Sequence, residues 1–254
     1  MKKTIIAAAL AAMTFAAVSC SDKKEDKLTD NVEETTVEVT ISEEDIMRDI
    51  AKDSAAEKVD MTAQQIEKYD IPEDWQELSV ENFKIYVPSG VEELDADTGM
   101  RRFGDESKGL YLTILPAIKY DCGMTLGALN PDLSEEKVKQ AFSELGIEYN
   151  GTRLSFMKAA LSLTSADKTD ENAEAFETAI LAKGTEFDMD KEILVSESDG
   201  HPIYIDVYKD LGLKKEKASI GVNFFIDEST VQSFVVNADT MDEALQIATN
   251  LKLA

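Results

Sequence analysis

The sequence has very little of the chemistry on which most catalytic sites depend. It contains one histidine, His201, and two cysteines among 254 residues. A single histidine excludes multi-histidine metal sites, and any catalytic triad would have to use this one residue. His201 follows Asp199-Gly200 and precedes Pro202, a pattern that favours an exposed turn histidine over a general base. No nucleophile elbow and no phosphate-binding glycine loop is present, so we predict no catalytic and no cofactor-binding residues.

Positive charge is also scarce. The chain has 26 basic and 51 acidic residues, for a net charge of -25. Nucleic-acid binding requires a basic surface that displaces phosphate counterions, so we expect no nucleic-acid partner. Peripheral binding to anionic lipid headgroups is excluded on the same ground. An acidic surface of this kind ordinarily promotes solubility.

Two acidic clusters of the sequence can be compared with calcium-binding loops. Asp95-x-Asp97-x-Gly99 with Glu106 follows part of the spacing of an EF-hand loop. The glycine that this loop requires is replaced by Met100, and two arginines follow directly. The second acidic cluster, Asp188 to Glu192, also departs from the loop pattern. We therefore expect solvated turns at both places and no metal site.

The chain has no hydrophobic run long enough to span a bilayer as a retained helix. The apolar segment from Thr4 to Val18 is shorter than the roughly 20 residues that such a helix needs. It follows Lys2 and Lys3 and ends in small residues, which is typical of a secretory signal peptide. An ordinary secreted protein is the alternative interpretation.

The residues at the end of this segment read Ala17-Val18-Ser19-Cys20. They resemble the lipobox of bacterial lipoproteins, in which the cysteine is acylated and becomes the new N-terminus. The resemblance implies cleavage between Ser19 and Cys20 and a lipid bilayer partner through acylated Cys20. It also implies an extracytoplasmic location on a bacterial membrane, either the cell membrane or the outer membrane. Two or three acyl chains are enough for stable anchoring without basic residues.

Acylation of Cys20 would leave Cys122 as the only thiol. No intramolecular disulfide could then form, although the compartment would permit one. Cys122 is expected to be a small, buried and inert residue or to sit in a turn, and a disulfide-linked dimer is the alternative.

Composition divides the chain into four parts. Residues 1–19 are the predicted signal peptide, and residues 20–31 are the acylated cysteine and a flexible tether with mixed charge. Residues 32–71 are predicted to be an acidic, marginally structured helical segment, with a short strand from Thr35 to Ile41. Residues 72–254 are predicted to be the globular domain.

The hydrophobic pattern of the domain predicts an α+β fold with a largely antiparallel sheet. It indicates strands near both ends and helices between them, which does not fit alternating βαβ units. The predicted strands are 78–87, 100–103, 109–115, 193–195, 203–208, 218–226 and 231–236. The predicted helices begin at Ser134, near Arg153 and at Ala173, with a fourth capped by Asp239-Thr240. Gly146 and Lys183-Gly184 are predicted to end the first and third of these helices.

The segment Glu81-Asn82-Phe83-Lys84-Ile85-Tyr86-Val87-Pro88-Ser89-Gly90 resembles the opening strand and turn of the Mog1/PsbP-like fold. That fold includes DcrB-like bacterial lipoproteins. The resemblance extends to strand 109–115, the central helices, the hairpin 218–236 and the helix 240–252, and it covers about residues 72–254. It implies an α/β/α sandwich that serves as a binding or assembly factor.

The aromatic residues Trp75, Phe83, Tyr86, Tyr111, Tyr204 and Tyr208 fall on predicted strands. On a sheet face they could line a sugar or peptide site, but packing in the core is the more common use. The leading hypothesis is a non-enzymatic, lipid-anchored binding or assembly module with an envelope protein partner. The alternative is a lipid-anchored solute-binding protein or a hydrolase that uses acidic and aromatic side chains.

Overall fold

The protein has an α+β fold in which two sheets and a group of helices enclose two hydrophobic cores. The structure is a computed structural model that describes residues 55, 57–94, 99–125, 133–187, 191–208 and 218–254. Its strands are β1 (Ala63–Gln65), β2 (Trp75–Val80), β3 (Phe83–Pro88), β4 (Glu92–Leu94), β5 (Arg101–Asp105), β6 (Leu110–Ile114), β7 (Ile118–Lys119), β8 (Lys191–Ser198), β9 (His201–Tyr208), β10 (Ala218–Phe225), β11 (Thr230–Ala238) and β12 (Lys252–Leu253). The helices are α1 (Glu135–Glu144), α2 (Arg153–Ser162), α3 (Ala173–Glu186) and α4 (Met241–Thr249), and Ser165–Asp167 form a short 3-10 helix.

The larger sheet has nine strands, with the order β1-β8-β9-β10-β11-β6-β5-β4 and β7 paired with β11. All of its pairs are antiparallel except β1 with β8. The smaller sheet is antiparallel and has the order β12-β3-β2. The predicted fold class, α+β with a largely antiparallel sheet, is therefore confirmed.

One hydrophobic core lies between the larger sheet, the smaller sheet and α4. Alternate residues of the strands point into it, as the two-residue period of a strand requires. The Phe83 ring makes edge-to-face contacts with Phe224 and Phe234 at centroid distances of 5.1 Å and 5.3 Å. These contacts join β3 of the smaller sheet to β10 and β11 of the larger one.

The second core lies on the opposite side of the larger sheet, under α1, α2 and α3. Phe142 and Phe156 are fully buried there, and the Tyr149 ring packs 5.7 Å from each of them. From the sheet, this core receives Ile193, Tyr204, Phe225 and Val231. Within the described residues, the helices therefore cover only one part of this side, namely β1, β8 and the neighbouring ends of the next three strands.

Helices α1 and α4 begin after the capping residues that the sequence predicts. Ser134 accepts a hydrogen bond from the Lys137 backbone N–H, and Thr240 accepts one from that of Glu243. Acidic residues occupy the first turn of both helices, where their negative charge interacts favourably with the positive end of the helix dipole. Gly146, with a φ of 71°, follows the C-terminus of α1.

The predicted single strand over 78–87 is wrong, because the chain reverses at Glu81 and Asn82. Val80 faces Phe83 across this tight hairpin, and Glu81 has a left-handed φ of 53°.

The predicted turn at 104–107 begins too early. Gly104 and Asp105 continue β5, and Gly104 permits the close approach because a Cβ there would lie 2.7 Å from the Leu110 carbonyl oxygen.

The prediction that α3 ends at Lys183-Gly184 is also wrong. The helix continues to Glu186, and Gly184 lies against the segment that precedes β1. A Cβ on Gly184 would lie 2.7 Å from the Ala55 Cα, so the glycine permits close packing instead of ending the helix.

At the C-terminus, α4 stops at Thr249, and Lys252–Leu253 add a strand that was not predicted.

The described part of the 32–71 segment contains more structure than its sequence indicates. Ala63–Gln65 form β1, which pairs in parallel with β8. Ala55 is buried, while Ile66 and Tyr69 pack against the core beneath the smaller sheet. The strand predicted from Thr35 to Ile41 lies outside the described residues.

Candidate functional site

The predicted lipidation site is not among the described residues. Ser19 and Cys20 both lie outside them, as do the rest of the predicted signal peptide and tether. Within the part of the chain that the structure describes, no helix is long and apolar enough to cross a membrane.

The six aromatic side chains proposed for a sheet face divide into three groups. On the smaller sheet, Trp75 packs against the first core and Tyr86 donates a hydrogen bond to Glu77 at 2.9 Å. Phe83 and Tyr204 are buried in the two cores, as the packing interpretation predicts. Tyr111 and Tyr208 are instead half-buried on the side of the larger sheet that carries the helices, beyond the part that the helices cover. They mark the one candidate site that the predicted aromatic residues help to form.

The backbone register brings a row of small and polar residues together across this uncovered area. Asp206 faces Gly221, Gly221 faces Val235, Val235 faces Thr113, and Thr113 faces Arg102. These residues come from β9, β10, β11, β6 and β5, and their Cβ positions point to the same side.

A second row runs beside the first. It consists of Ser219, Asn237, Tyr111 and Gly104 on β10, β11, β6 and β5. Tyr208 lies two residues beyond Asp206 on the same face of β9, and the facing pair Asn223 and Ser233 completes the opposite border. We call these two rows, with Tyr208, Asn223 and Ser233, the polar sheet face.

The surface is recessed at the centre of the polar sheet face, because Gly221 has no side chain while its neighbours do. A Cβ built on Gly221 would lie 3.6 Å from the Tyr208 hydroxyl and 3.7 Å from Asp206 Oδ2. The Tyr208 and Asp206 side chains therefore stand beside the position that the missing side chain would occupy. Lys191 Nζ lies 3.7 Å from Asp206 Oδ2 and 5.0 Å from the centroid of the Tyr208 ring.

Tyr111 is held on the other side of this low centre. The Arg102 guanidinium lies 4.8 Å from the centroid of its ring. The Tyr111 ring also lies across β5, where a Cβ on Gly104 would be only 3.0 Å from Tyr111 Cδ1. Both tyrosines are thus restrained by a cation and by packing on the strands.

Several polar side chains of this face have donors and acceptors that form no hydrogen bond within the described residues. Asn223 Oδ1 accepts a hydrogen bond from the Ser233 hydroxyl at 2.9 Å. Ser219, Thr113 and Asn237 form no side-chain hydrogen bond within the described residues. Because amides and hydroxyls both donate and accept, this face can form hydrogen bonds of either sense with a ligand.

His201 has a structural role in this fold. Its Nδ1 lies 3.0 Å from the Phe225 carbonyl oxygen, and its ring stacks on Phe224 at 5.4 Å. It is half-buried at the start of β9, so the expectation of an exposed turn histidine is wrong. The two-residue turn before it, Asp199-Gly200, has the left-handed φ angles of a tight hairpin, 52° and 85°.

Cys122 has the properties of an unreactive thiol. Its Sγ donates a hydrogen bond to the Met124 carbonyl oxygen at 2.9 Å. Burial raises the pKa of the thiol. A higher pKa lowers the thiolate fraction, which is the nucleophilic form.

Two buried cations that the sequence did not reveal stabilise the helical layer. Arg153 pairs with Glu186, donates to the Gly123 carbonyl oxygen at 3.3 Å and stacks on Tyr120. Burial opposes the charged form of Arg153, but the hydrogen bond and charge of Glu186 outweigh it and raise the pKa. Lys183 donates three hydrogen bonds to backbone carbonyl oxygens. Neither cation lines any of the three cavities described below, and we assign both to stability.

Metal ligands do not converge in the part of the chain that the structure describes. No three histidine, cysteine or acidic side chains approach closely enough there to hold an ion. Asp95, Asp97 and Asp188–Asp190 lie outside the described residues, so the structure places only parts of the two acidic clusters.

Three cavities open to the surface of the described residues. One of about 380 Å³ lies at the N-terminus of α2, beside Asn150, Thr152 and Ser155, whose side chains hydrogen-bond to one another. A second, of about 410 Å³, lies beside Phe176 and Ile180 of α3. A third, of about 460 Å³, borders β1 and β8.

Comparison of the sequence with protein-family models and with curated proteins gives no match. Among solved structures, the chain is similar to a protein of Bacteroides thetaiotaomicron VPI-5482 determined at 1.50 Å resolution. The two are 8% identical, and the alignment has a TM-score of 0.30 and covers 68% of this chain. This chain spans 45% of the length of that protein.

Proposed function

We propose that this protein is a lipid-anchored, extracytoplasmic binding module. The observation that carries the proposal is the motif Ala17-Val18-Ser19-Cys20 after a short apolar segment. The anchor would hold the α+β domain close to a membrane, and the acidic composition would keep that domain soluble.

The polar sheet face supports binding over catalysis. Its side chains lie on strands of one sheet, which is a rigid support, and they offer amides, hydroxyls and two tyrosines. His201 and Cys122, the side chains most often used for acid–base or nucleophilic chemistry, are engaged with backbone carbonyl groups elsewhere. The partner of such a module is either an envelope protein, which we expected first, or a solute; the hydrolase alternative finds less support.

The anchor is tested with Cys20→Ala in cells fed labelled palmitate. We expect the variant to lose the label and to move from the membrane fraction to the soluble fraction, because no other feature of the sequence predicts membrane attachment. Cys122→Ala is the matched control and should keep both the label and the membrane location. Continued labelling of Cys20→Ala would disprove the anchor.

A further inference from the structure

The polar sheet face differs sharply in charge from the rest of this acidic chain. Of the chain's 51 acidic residues, only Asp206 points from β9, β10, β11, β6 or β5 into this face. Lys191 offsets its charge at 3.7 Å, and Arg102 adds a positive charge beside Tyr111 at the other edge of the face. A surface for a cationic partner would carry acidic side chains at its centre, so this face fits a partner without positive charge.

The centre of the face is also too polar for a stable protein interface. The cores of such interfaces are apolar and are enriched in large side chains. Here Val235 is the one aliphatic side chain of the two rows, and its neighbours are Gly221, Ser219, Asn237 and Thr113. A second copy of this chain would therefore bury mainly amides and hydroxyls, with little apolar area to stabilise the dimer.

The same features suit a ligand that is itself covered with hydroxyl groups. Asn237, Ser219 and Thr113 can each donate and accept hydrogen bonds, as a sugar hydroxyl can. Tyr208 and Tyr111 stand on β9 and β6, which are three strands apart in the sheet. These two strands are roughly 14 Å apart, since neighbouring strands lie about 4.8 Å apart. The Tyr208 hydroxyl reaches the Gly221 position on β10, so within the described residues the trough between the two tyrosines spans β10 to β6, roughly 10 Å. Linked sugar rings can lie along this trough.

We infer that the polar sheet face binds a neutral oligosaccharide across β9, β10, β11 and β6. Asn237 and Ser219 hydrogen-bond to its hydroxyl groups, Tyr208 and Tyr111 contact its sugar rings from the two sides, and Gly221 leaves room for it at the centre. This inference rests on the proposed function, a binding module, and names its ligand class.

The test uses the full chain in a zwitterionic detergent, because detergents with sugar headgroups would compete. The probes are maltohexaose, cellohexaose, laminarihexaose, mannohexaose and chitohexaose. Binding is followed by calorimetry and by NMR of the side-chain amides of Asn223 and Asn237. We expect at least one of the sugars to bind and to shift these amide signals.

Gly221→Val is the decisive variant. Alanine-sized atoms at this position meet only ordinary contacts of 3.6–3.7 Å, and valine is favoured in strands, so the variant should fold. Its methyl groups fill the centre of the trough, and we expect at least about a tenfold loss of affinity, as for blocking a well-formed contact. Ser79→Val is the matched control, because Ser79 is exposed on β2 of the smaller sheet. It should bind the sugar as the unmodified chain does.

Asn237→Ala gives a second measurement that leaves the shape of the trough intact. It should weaken binding severalfold without changing thermal stability, since the Asn237 side chain has no hydrogen-bond partner within the described residues. The inference is overturned if none of the five sugars binds at millimolar concentration, or if affinity survives Gly221→Val. It is also overturned if a photocrosslinker at position 219 captures a protein in cells while the sugars fail to bind.

The two proposals fail in distinguishable ways. A chain that binds sugar but takes up no palmitate would disprove the anchor and leave this inference standing. A chain that is acylated at Cys20 but binds no sugar would disprove this inference alone. Sugar binding by Cys20→Ala separates the two directly.

Discussion

Lys183 is fully buried near the C-terminal end of α3, where it joins three parts of the chain. Its ammonium donates hydrogen bonds to the carbonyl oxygens of Val59 and Met61 at 2.8 Å and 2.6 Å, and to that of Leu163 at 2.6 Å. Lys58 makes the reciprocal contact, donating to the Gly184 carbonyl oxygen at 2.8 Å. These bonds hold the segment before β1 against α3.

Stability should therefore rise with pH above about pH 8. Burial lowers the pKa of Lys183 to about 8, against the partly opposing effects of Asp60 and Asp167. Because the folded pKa is below the unfolded one, the unfolded chain binds more protons between pH 8 and the usual lysine pKa of about 10.4. Unfolding free energy should rise across this window, by at most about 1.4 kcal/mol per pH unit. Chemical denaturation at a series of pH values measures it.

The opposite effect of the buried tyrosines limits the upper end of this window. Burial raises the pKa of Tyr204 to about 12, and burial raises that of Tyr149 as well. Unfolding then releases tyrosine protons above pH ~10, so stability falls again there. Lys183→Met should be less stable overall, and its profile should lack the rise between pH 8 and pH ~10. The exposed control Lys158→Met should keep the slope, and an unchanged slope in Lys183→Met would contradict the assignment.

At the scale of the elements, the hairpin between β2 and β3 contains backbone strain at Glu81 that a substitution can relieve. Glu81 has a φ of 53°, a region that costs side chains other than glycine and asparagine roughly 1–2 kcal/mol. Glu81→Asn should raise the melting temperature by about 2–4 °C, since asparagine adopts this conformation readily. Thermal unfolding followed by circular dichroism is the measurement.

Glu148→Asn controls for the loss of a negative charge in this prediction. Glu148 is exposed and its φ is not positive, so its replacement removes the same charge without relieving strain. Equal melting temperatures for the two variants would show that charge alone is responsible.

The accuracy of the sequence predictions depends on whether the signal for an element is local. The caps Ser134 and Thr240 and the turn Asp199-Gly200 act through neighbouring residues, and the structure places all three as predicted. The turn at Glu81 lacks glycine, so the sequence pattern predicts the interior of one strand there. Strands β1 and β12 are short and exist only because β8 and β3 pair with them, which no local pattern reveals.

The candidate site was still harder to predict because it depends on register. Tyr204 and Tyr208 belong to the same strand and point to the same side, yet Tyr204 is buried under the helices and Tyr208 is not. The difference follows from where α1, α2 and α3 end on the sheet. In the same way, Gly221 becomes the low centre of a trough only through its partners on β9 and β11.

At the scale of the whole molecule, the net charge of -25 acts against the folded state. Folding brings like charges closer together, and the resulting repulsion lowers stability. Most of the ion pairs in the described residues are at the surface, such as Glu93 with Arg101 and Glu77 with Lys84, and exposed pairs stabilise little. Net repulsion should therefore outweigh attraction in the response to salt.

Raising sodium chloride from about 0.01 M to about 0.15 M should accordingly raise the melting temperature, because the Debye length falls from about 30 Å to about 8 Å. This range is low enough to avoid the general salting-out effect of concentrated salt. Lowering the pH from 7 toward 5 at low salt should act in the same direction, since the sequence pI is near 4.3. The gain must reverse in more acidic solution. Hydrogen bonds lower the pKa of Asp227, Glu93 and Asp105 below their usual values, so the stability that these carboxylates contribute is lost as the pH falls through the folded pKa values. A melting temperature that falls with added salt would mean that ion pairs, not repulsion, dominate the electrostatics of this acidic protein.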